Sequence, residues 1–425
     1  MNIQRSIFYC LALSLFVYGL NYHISKGLIH LAALLSIINI VLAIKNKSIN
    51  NLSIDKPGVL PIVFLLLVSS AISAVYYILY DNPIAERLFS NTFPVTLAFS
   101  LIIPSLNVNK SDGNILLYSA IASCIFLGLS GIVDYALHGN SGYRTAGFIN
   151  APIIYAVSVS LITTWINVNF FSFLLKKNWM MSALCFLSLC IGFLSIFLSG
   201  SRGPILASTI IFFLLLIHFL ILNHSNIKKT LLALVSISLF LSILLLVSNL
   251  SFFDNIKNRF ESGITNISTG FHEGKRAPTS AGVRLDMWEA SFVTICDYPL
   301  TGIGAGNHAR YFQTLDQEQR INVNTDKLMR YNHMHNDIIQ AWLSMGVIFG
   351  TLFLLYILYL TAFFFNQVNH QRSSRVGLLV CISFILCGLT DVPAHSAVSL
   401  TLFLLITSLN LSYINSSNKP KTIKK

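Results

Sequence analysis

Two histidines lie close together at the edge of an apolar segment, His333 and His335 within Asn332–Asp337. Histidine is the side chain best suited to proton transfer near neutral pH. Histidines at positions i and i+2 could also ligate a metal, but no Glu or His follows four residues later and no cysteine is near. A general base oriented by Asp337 or Asn336 is the more economical interpretation, and a hydrogen-bonded histidine pair is the structural alternative. We therefore expect no metal and no cofactor.

Two arginines have surroundings that suit the binding of phosphate. Arg202 lies in the glycine-containing turn Ser199–Pro204 between two long apolar stretches, and Arg284 lies on the polar face of a predicted helix, 281–292. A guanidinium group can donate to two phosphate oxygens at once, and glycine lets a ligand approach the backbone. Trp288, one turn after Arg284, could stack on a sugar. The structural alternatives are a snorkelling Arg202 and a local stack of Arg284 on Trp288.

Arg87 and Arg144 belong to segments that we predict on the same side of the membrane as these groups. Arg144 again lies near glycine, within Tyr143–Phe148. Taken singly, each is an ordinary cation at the membrane interface. Taken together, four or more arginines that face one outer cavity are the pattern expected of a polyphosphate site.

The composition shows what surrounds these residues. Hydrophobic residues make up 54% of the chain and charged residues 10%, whereas soluble domains carry about 25% charged residues. Apolar runs long enough to span a bilayer as helices then predict an all-α polytopic membrane protein. About twelve spans are predicted, at approximately 5–20, 27–44, 58–80, 88–106, 114–133, 151–175, 178–199, 203–223, 230–249, 340–365, 376–391 and 396–414.

The positive charges predict how the chain is oriented. With the amino terminus in the cytoplasm, most Lys and Arg of the short loops fall on the cytoplasmic side, as the positive-inside rule requires. The net charge of +12 therefore does not indicate nucleic acid. The predicted organisation is spans one to nine in 1–249, a large, basic, partly helical periplasmic loop in 250–336, spans ten to twelve in 337–415 and a cytoplasmic tail in 416–425.

The placement of ionisable residues argues against a transporter. A proton-driven transporter carries carboxylates or histidines within its spans, and here the predicted spans contain almost none. The reactive groups gather on one surface instead, which suits an enzyme acting on a lipid-linked anionic substrate. Because no carboxylate metal site is evident, Arg is the expected phosphate ligand.

Several short motifs, taken in their order along the chain, resemble the O-antigen ligase family of bacterial inner membranes. They are Ser199-Gly-Ser-Arg202-Gly-Pro, Gly282-Val-Arg284-Leu-Asp-Met-Trp288, Asp297-Tyr-Pro299-Leu-Thr-Gly302-Ile-Gly304-Ala-Gly306, and His333-Met-His335-Asn336 followed by Gly346 and Gly350. Arg144-Thr-Ala-Gly147-Phe matches as well. Each motif is degenerate, whereas their order, the long outer loop and the twelve spans are together much more specific.

The resemblance implies a glycosyltransferase type C-like fold of about twelve helices in the inner membrane, with both termini cytoplasmic. It implies metal-independent, inverting transfer of a glycan from an undecaprenyl-pyrophosphate donor to a sugar hydroxyl of the lipid A-core acceptor. By the same resemblance, Arg202 and Arg284 hold the pyrophosphate and His335 deprotonates the acceptor hydroxyl. The residues expected to bind substrate around them are Arg87, Arg144, Trp288, His333, Asn336 and Asp337.

Three alternatives remain open at this point. O-antigen polymerases have a similar topology and also rely on periplasmic arginines, and protein O-oligosaccharyltransferases share the outer-loop motifs. A lipid-linked glycan transporter is the alternative of another class. The His-Met-His-Asn segment and the single long loop between spans nine and ten favour the ligase.

Overall fold

Apolar sequence in lipid must satisfy its own backbone hydrogen bonds, and the chain does so with helices. The computed structural model describes residues 3–80, 82–139, 143–222, 280–321, 323, 328, 330–369 and 371–417. The predicted ninth span (230–249), the first part of the predicted loop (250–279) and the end of the tail (418–425) lie outside the described residues. The described helices are α1 Ile3–Tyr18, α2 Tyr22–Lys45, α3 Val59–Leu79, α4 Pro83–Ser105, α5 Gly113–His138, α6 Pro152–Leu175, α7 Trp179–Leu198, α8 Arg202–Leu222, α9 Ser280–Asp297, α10 His308–Gln317, α11 Asp337–Asn366, α12 Arg372–Gly388 and α13 Ala397–Ser417.

The helices confirm an all-α polytopic membrane protein. Over the described residues there is no strand, and nine helices (α2 to α8, α11 and α13) are long and apolar enough to cross a membrane. Helices α1, with 16 residues, and α12, with 17, match two more predicted spans but are shorter. The exact number of twelve spans therefore stays a prediction.

Helices α6 and α13 form the centre of the bundle, because nearly all of their residues are buried. Small hydroxyl side chains connect α6 to its neighbours. The Ser160 hydroxyl lies 3.0 Å from that of Ser383 on α12 and accepts a 2.8 Å hydrogen bond from Ser208 on α8. Contacts of this kind stabilise helix pairs in lipid, where apolar surface alone gives little attraction. Through Ser160 of α6, these contacts connect α8 with α12. The candidate site lies near the start of α8 and the end of α12.

Outside the bundle, α9 and α10 pack around a second, smaller apolar core. Val283, Met287 and Ala290, the residues that define the predicted apolar face of the loop helix, are all buried in it. Phe312 of α10 and Met334 before α11 complete its centre. The predicted helical character of the loop is confirmed here, and α9 ends at Asp297, where the Asp297-Tyr298-Pro299 sequence predicts its end.

Helix α11 is broken at Gly346, whose φ of 75° and ψ of 168° are non-helical. The two parts of the helix pack against each other, since a side chain at Gly350 would collide with the backbone of Ala341. The apolar run 340–365 was predicted as one span, whereas the break leaves 347–366 as its continuous helical part. Hydropathy does not reveal such a break, because it responds to composition and not to backbone conformation.

The glycine-rich turn after α9, residues 299–306, packs into the break of α11 at Gly346. The backbone N–H groups of Ile303 and Gly304 donate to the carbonyls of Leu343 and Ser344 at 2.9 and 3.0 Å. On the other side of the break, the N–H of Val347 donates to the carbonyl of Pro299 at 2.8 Å. These bonds satisfy polar backbone atoms that a broken helix leaves open. The long loop is thus attached directly to the helix that follows it.

Gly346→Ala is expected to destabilise the protein, because the conformation at residue 346 is almost exclusive to glycine and a side chain would meet the carbonyl of Leu300. The cost is about 1–3 kcal/mol for the backbone alone. It can be measured by reversible unfolding in SDS from mixed micelles. Gly27→Ala is the matched control, because a side chain at Gly27 of α2 meets nothing within 4 Å. Equal unfolding free energies for the two variants would contradict this account of the break.

Candidate functional site

The histidine turn, residues 333–336, is held at the start of α11 by side chains from two elements. The Asn336 side chain caps α11 by accepting from the N–H groups of Ile338 and Ile339 at 3.0 and 3.1 Å. The indole N–H of Trp288 on α9 donates to the carbonyl of Met334 at 2.8 Å. Trp288 therefore fixes the turn to residues 280–321, which contain α9 and α10 and which we call the outer subdomain. This role is independent of the proposed stacking of Trp288 on a sugar.

His335 has a backbone φ of 50°, in the left-handed region that residues with a side chain seldom occupy. The neighbouring Met334 is fixed on both sides, because its N–H donates to the Gln340 side chain at 2.9 Å and its carbonyl accepts from Trp288. Backbone in an uncommon conformation persists where the surroundings determine it strongly, and such places cluster at functional sites. The turn thereby directs the His335 ring towards the bundle, where the residue is almost fully buried.

Both histidine rings face the carboxylate of Asp391, in the turn between α12 and α13. The Nδ1 atoms of His335 and His333 lie 3.7 and 3.9 Å from Asp391 Oδ1. The ring centroids are 4.3 Å apart, and both Nδ1 atoms are buried without a hydrogen-bond partner. The Asp391 side chain is 4% exposed. The three groups form one compact cluster, which we call the His–His–Asp cluster.

Burial and charge shift the ionisation of these groups. Burial lowers the pKa of His333 to about 4, so this imidazole is neutral at neutral pH. For Asp391, burial raises the pKa, but the two neighbouring imidazoles and the backbone N–H of Val392 outweigh it and leave the pKa below its ordinary value. The buried carboxylate is therefore negatively charged, and it stabilises positive charge on either ring.

Arg284 belongs to the same electrostatic cluster. Burial lowers the pKa of its guanidinium and the charge of Asp391 opposes this shift, while the Arg284 charge in turn lowers the pKa of His333. Arginine remains charged even when largely buried. The positive charge of Arg284 on α9 is thus coupled electrostatically to the histidine turn.

The start of α8 reaches this cluster through Thr390, the residue before Asp391. Gly203 packs against the Thr390 side chain so closely that a methyl group at residue 203 would overlap its hydroxyl. Arg202, at the first position of α8 and partly buried, is therefore attached to the Thr390–Asp391 turn by its neighbour. Three segments that were singled out in the sequence, around Arg202, Arg284 and His335, come together at this turn.

Arg144 supports the turn before α8. Its Nε donates to the Ser199 carbonyl and its Nη2 to the Ser201 hydroxyl, both at 2.9 Å. The loop that carries Arg144 is itself anchored by the carboxylate of Asp134 on α5. That carboxylate accepts hydrogen bonds from the hydroxyls of Tyr143 and Thr145 and from the N–H groups of Ala146 and Gly147. Arg144 thus positions the segment leading to Arg202, whatever it contributes to substrate binding.

Asp337 differs from the sequence expectation. Its carboxylate lies 3.0 Å from Nδ1 of His395 and accepts from the backbone N–H of Ala394. The carboxylate within 4 Å of His335 is that of Asp391, and Asn336 serves as a helix cap. Neither Asp337 nor Asn336 is therefore the observed partner of the candidate base, because adjacency along the chain does not determine which side chains meet.

Asp391 and His395 are the residues that the sequence interpretation missed. The run 376–391 was predicted as one span, which placed Asp391 at its end, whereas α12 ends at Gly388. A signal was nevertheless present, since an acid and a histidine share the short segment between two apolar runs. An ionisable residue at a membrane edge is costly there and so indicates function.

Arg87 lies exposed near the start of α4, at the same end of the bundle. One turn later, the side-chain amide of Asn91 donates to the carbonyl of His395 at 3.3 Å. This contact brings α4 next to the Asp337–His395 pair. A contact of Arg87 with substrate stays a prediction.

The long apolar helices of the bundle indicate a multi-pass membrane protein, and the polar cluster lies at one end of this bundle. The sequence profile of the O-antigen ligase family matches residues 183–355, which confirms the resemblance of the motifs. The matched segment runs from α7 into α11 and contains Arg202, Arg284, His333 and His335. Asp391 lies beyond it.

The chain is also similar to a curated relative described as an uncharacterized protein of Haemophilus influenzae. The two are 22% identical over 242 residues, which are 56% of this chain and 55% of the relative. The chain thus spans about half the length of the curated relative that it matches.

Proposed function

We propose that this protein is an O-antigen ligase. In this proposal it transfers O-antigen glycan from undecaprenyl pyrophosphate to a sugar hydroxyl of lipid A-core, on the periplasmic face of the inner membrane. The observation that carries the proposal is the electrostatic coupling of Arg284 to Asp391 and His333, two members of the His–His–Asp cluster. This coupling supports pairing Arg284, as a phosphate ligand, with His335 as the base, and both residues belong to the segment that the family profile matches.

His335 is the proposed general base. A sugar hydroxyl is a poor nucleophile until a base removes its proton, and a positioned imidazole can do so. The proton passes to His335 while the acceptor oxygen forms a bond to the anomeric carbon. The charge of Asp391, 3.7 Å away, stabilises the resulting imidazolium. Asp391 is thus a positioning residue that acts through His335.

Arg284 and Arg202 are the proposed ligands of the pyrophosphate. As the bond from the anomeric carbon to the phosphate oxygen breaks, its electron pair stays on the pyrophosphate and increases the negative charge there. Guanidinium groups held in place stabilise this charge without moving. Base and leaving group lie on opposite sides of the anomeric carbon, so the configuration inverts. No step requires a metal ion.

The remaining residues have proposed roles around this reaction. Trp288 and Asn336 fix the histidine turn, and Asp337 fixes the turn after α12 through His395. Arg144 supports the segment before Arg202. Arg87 and His333 remain proposed contacts of the glycan or the phosphate.

A strain that lacks this gene is expected to make lipid A-core without O antigen, while carrier-linked polymer accumulates. The reason is that loss of the ligase leaves polymerisation intact. Gel analysis of lipopolysaccharide and extraction of the carrier lipid measure both products. Restoration by the wild-type gene in the same strain is the control.

Other outcomes of this experiment would identify the alternatives. A single repeat attached to the core would identify a polymerase. Substrate retained on the cytoplasmic side would identify a transporter, and intact lipopolysaccharide with loss of protein glycans would identify a protein O-oligosaccharyltransferase. Each of these would overturn the proposed function.

A further inference from the structure

The His–His–Asp cluster contains two buried nitrogen atoms that lack a partner. Nδ1 of His333 and Nδ1 of His335 lie 3.9 and 3.7 Å from Oδ1 of Asp391, which is longer than an ordinary hydrogen bond. Buried polar atoms in folded proteins nearly always have a partner. A small movement of one ring would let one of these nitrogens donate a hydrogen bond to the carboxylate of Asp391. A ligand that binds all three atoms would satisfy both.

The spacing of the three atoms suits a metal ion. One ring nitrogen of His333, one ring nitrogen of His335 and a carboxylate oxygen of Asp391 lie within 4.8 Å of one another. In tetrahedral zinc sites the bonds are about 2.0–2.2 Å, which places neighbouring ligand atoms about 3.3–3.6 Å apart. The observed 3.7 and 3.9 Å to Asp391 need only small side-chain movements to reach such a shell. Two imidazoles and a carboxylate are also a known type of zinc ligand set with an open fourth position.

The charge of Arg284 argues against a permanently bound ion. Its guanidinium interacts electrostatically with both Asp391 and His333, so a dication in the cluster would be repelled by a neighbouring positive charge. Three protein ligands also leave one of the four zinc coordination positions open, whereas a structural site fills all four. The cluster is thus suited to an ion that binds and dissociates.

Metal binding would abolish the proposed role of His335. Coordination through Nδ1 uses that lone pair and leaves the proton of the neutral ring on Nε2. No lone pair then remains to accept a proton from the acceptor hydroxyl, whichever nitrogen is the base. Occupation of the cluster therefore excludes base catalysis.

We propose that His333, His335 and Asp391 form a reversible inhibitory site for Zn²⁺ and similar divalent transition-metal ions. The inhibitory part rests on the proposed function, whereas the binding part does not. Zinc at this site competes with the glycan acceptor for the base. The enzyme itself works without the ion.

Binding is tested with Co²⁺ alone, on the full-length chain in detergent, without substrates and with a purification tag free of histidine. Tetrahedral Co²⁺ absorbs visible light strongly, so a titration is expected to give saturable bands. The bands are expected to disappear in His333→Ala and Asp391→Asn. His23→Ala, which removes an exposed histidine on α2, should retain them. Absence of bands in the wild type, or unchanged bands in His333→Ala, would overturn the site.

Inhibition is tested in a transfer assay. Zn²⁺ is expected to stop transfer by the wild type, and excess EDTA should restore it. Loss of one ligand in His333→Ala should raise the half-inhibiting concentration at least about tenfold, since even indirect partners of a metal change its affinity about 10–100-fold. Binding of Co²⁺ without inhibition by Zn²⁺, or stimulation by Zn²⁺, would refute the inhibitory role. Loss of activity in EDTA alone would instead contradict the metal-free reaction.

Discussion

Replacing His335 with alanine is expected to slow glycan transfer by roughly 10²–10⁴-fold, the usual contribution of a general base. The loss follows because no other group would take the proton of the acceptor hydroxyl. The rate is measured with undecaprenyl-pyrophosphate glycan and lipid A-core in nanodiscs. The unfolding free energy should also fall, since the imidazole is almost fully buried, but the turn should persist because the backbone of Met334 and the side chain of Asn336 hold it.

The control for this variant is His23→Ala, which should transfer at the wild-type rate because His23 lies exposed on α2. A wild-type rate in His335→Ala would eliminate it as the base. In that case the neutral His333 would be the next residue to replace.

The role of Asp391 can be separated from that of His335 by combining the two changes. Asp391→Asn removes the charge that stabilises the imidazolium but leaves the base, so its effect should be smaller than that of His335→Ala. If Asp391 acts only through His335, the double variant should be no slower than His335→Ala alone. Residues that act as a unit show this lack of additivity. Multiplied losses would show that Asp391 contacts substrate independently.

The parts of the fold that depend on local pattern could be predicted from the sequence. The apolar face of α9 was visible because Val283, Met287 and Ala290 repeat at helical spacing, and all three are buried. The long apolar runs likewise predicted most of the spans, since their length and composition are sufficient to identify them.

The parts of the site that depend on tertiary contacts could not be predicted in this way. The break at Gly346 is satisfied by Pro299, Ile303 and Gly304, which belong to another segment. The partner of His335 is Asp391 from a distant turn, whereas adjacency in the sequence suggested Asp337 or Asn336. Metal binding by the two histidines was considered and set aside for the same reason. Spacing within one motif showed two ligands, and the third came from the turn after α12.

Arg284→Lys is expected to reduce transfer by roughly 10²–10³-fold, the effect of losing one preorganised donor to a developing anion. Lysine retains a charge but cannot donate to two phosphate oxygens in a fixed plane. Burial at residue 284 would also favour the neutral amine, because burial lowers the pKa of a lysine. The kinetic constants for the donor are measured separately, and kcat should fall if Arg284 stabilises the leaving group. A rise in KM alone would indicate ground-state binding.

Arg320→Lys is the matched control, because Arg320 belongs to the same outer subdomain but pairs with Asp297 at 2.8 Å on the surface. Exposed ion pairs contribute only about 0–1 kcal/mol, so this variant should fold and transfer normally. If Arg320→Lys transfers glycan at the wild-type rate and Arg284→Lys does not, the loss must come from the guanidinium geometry at residue 284. The net charge of the subdomain is the same in both variants and cannot explain it. Full activity in Arg284→Lys would mean that a point charge is sufficient, and the two-oxygen contact would have to be abandoned for Arg284.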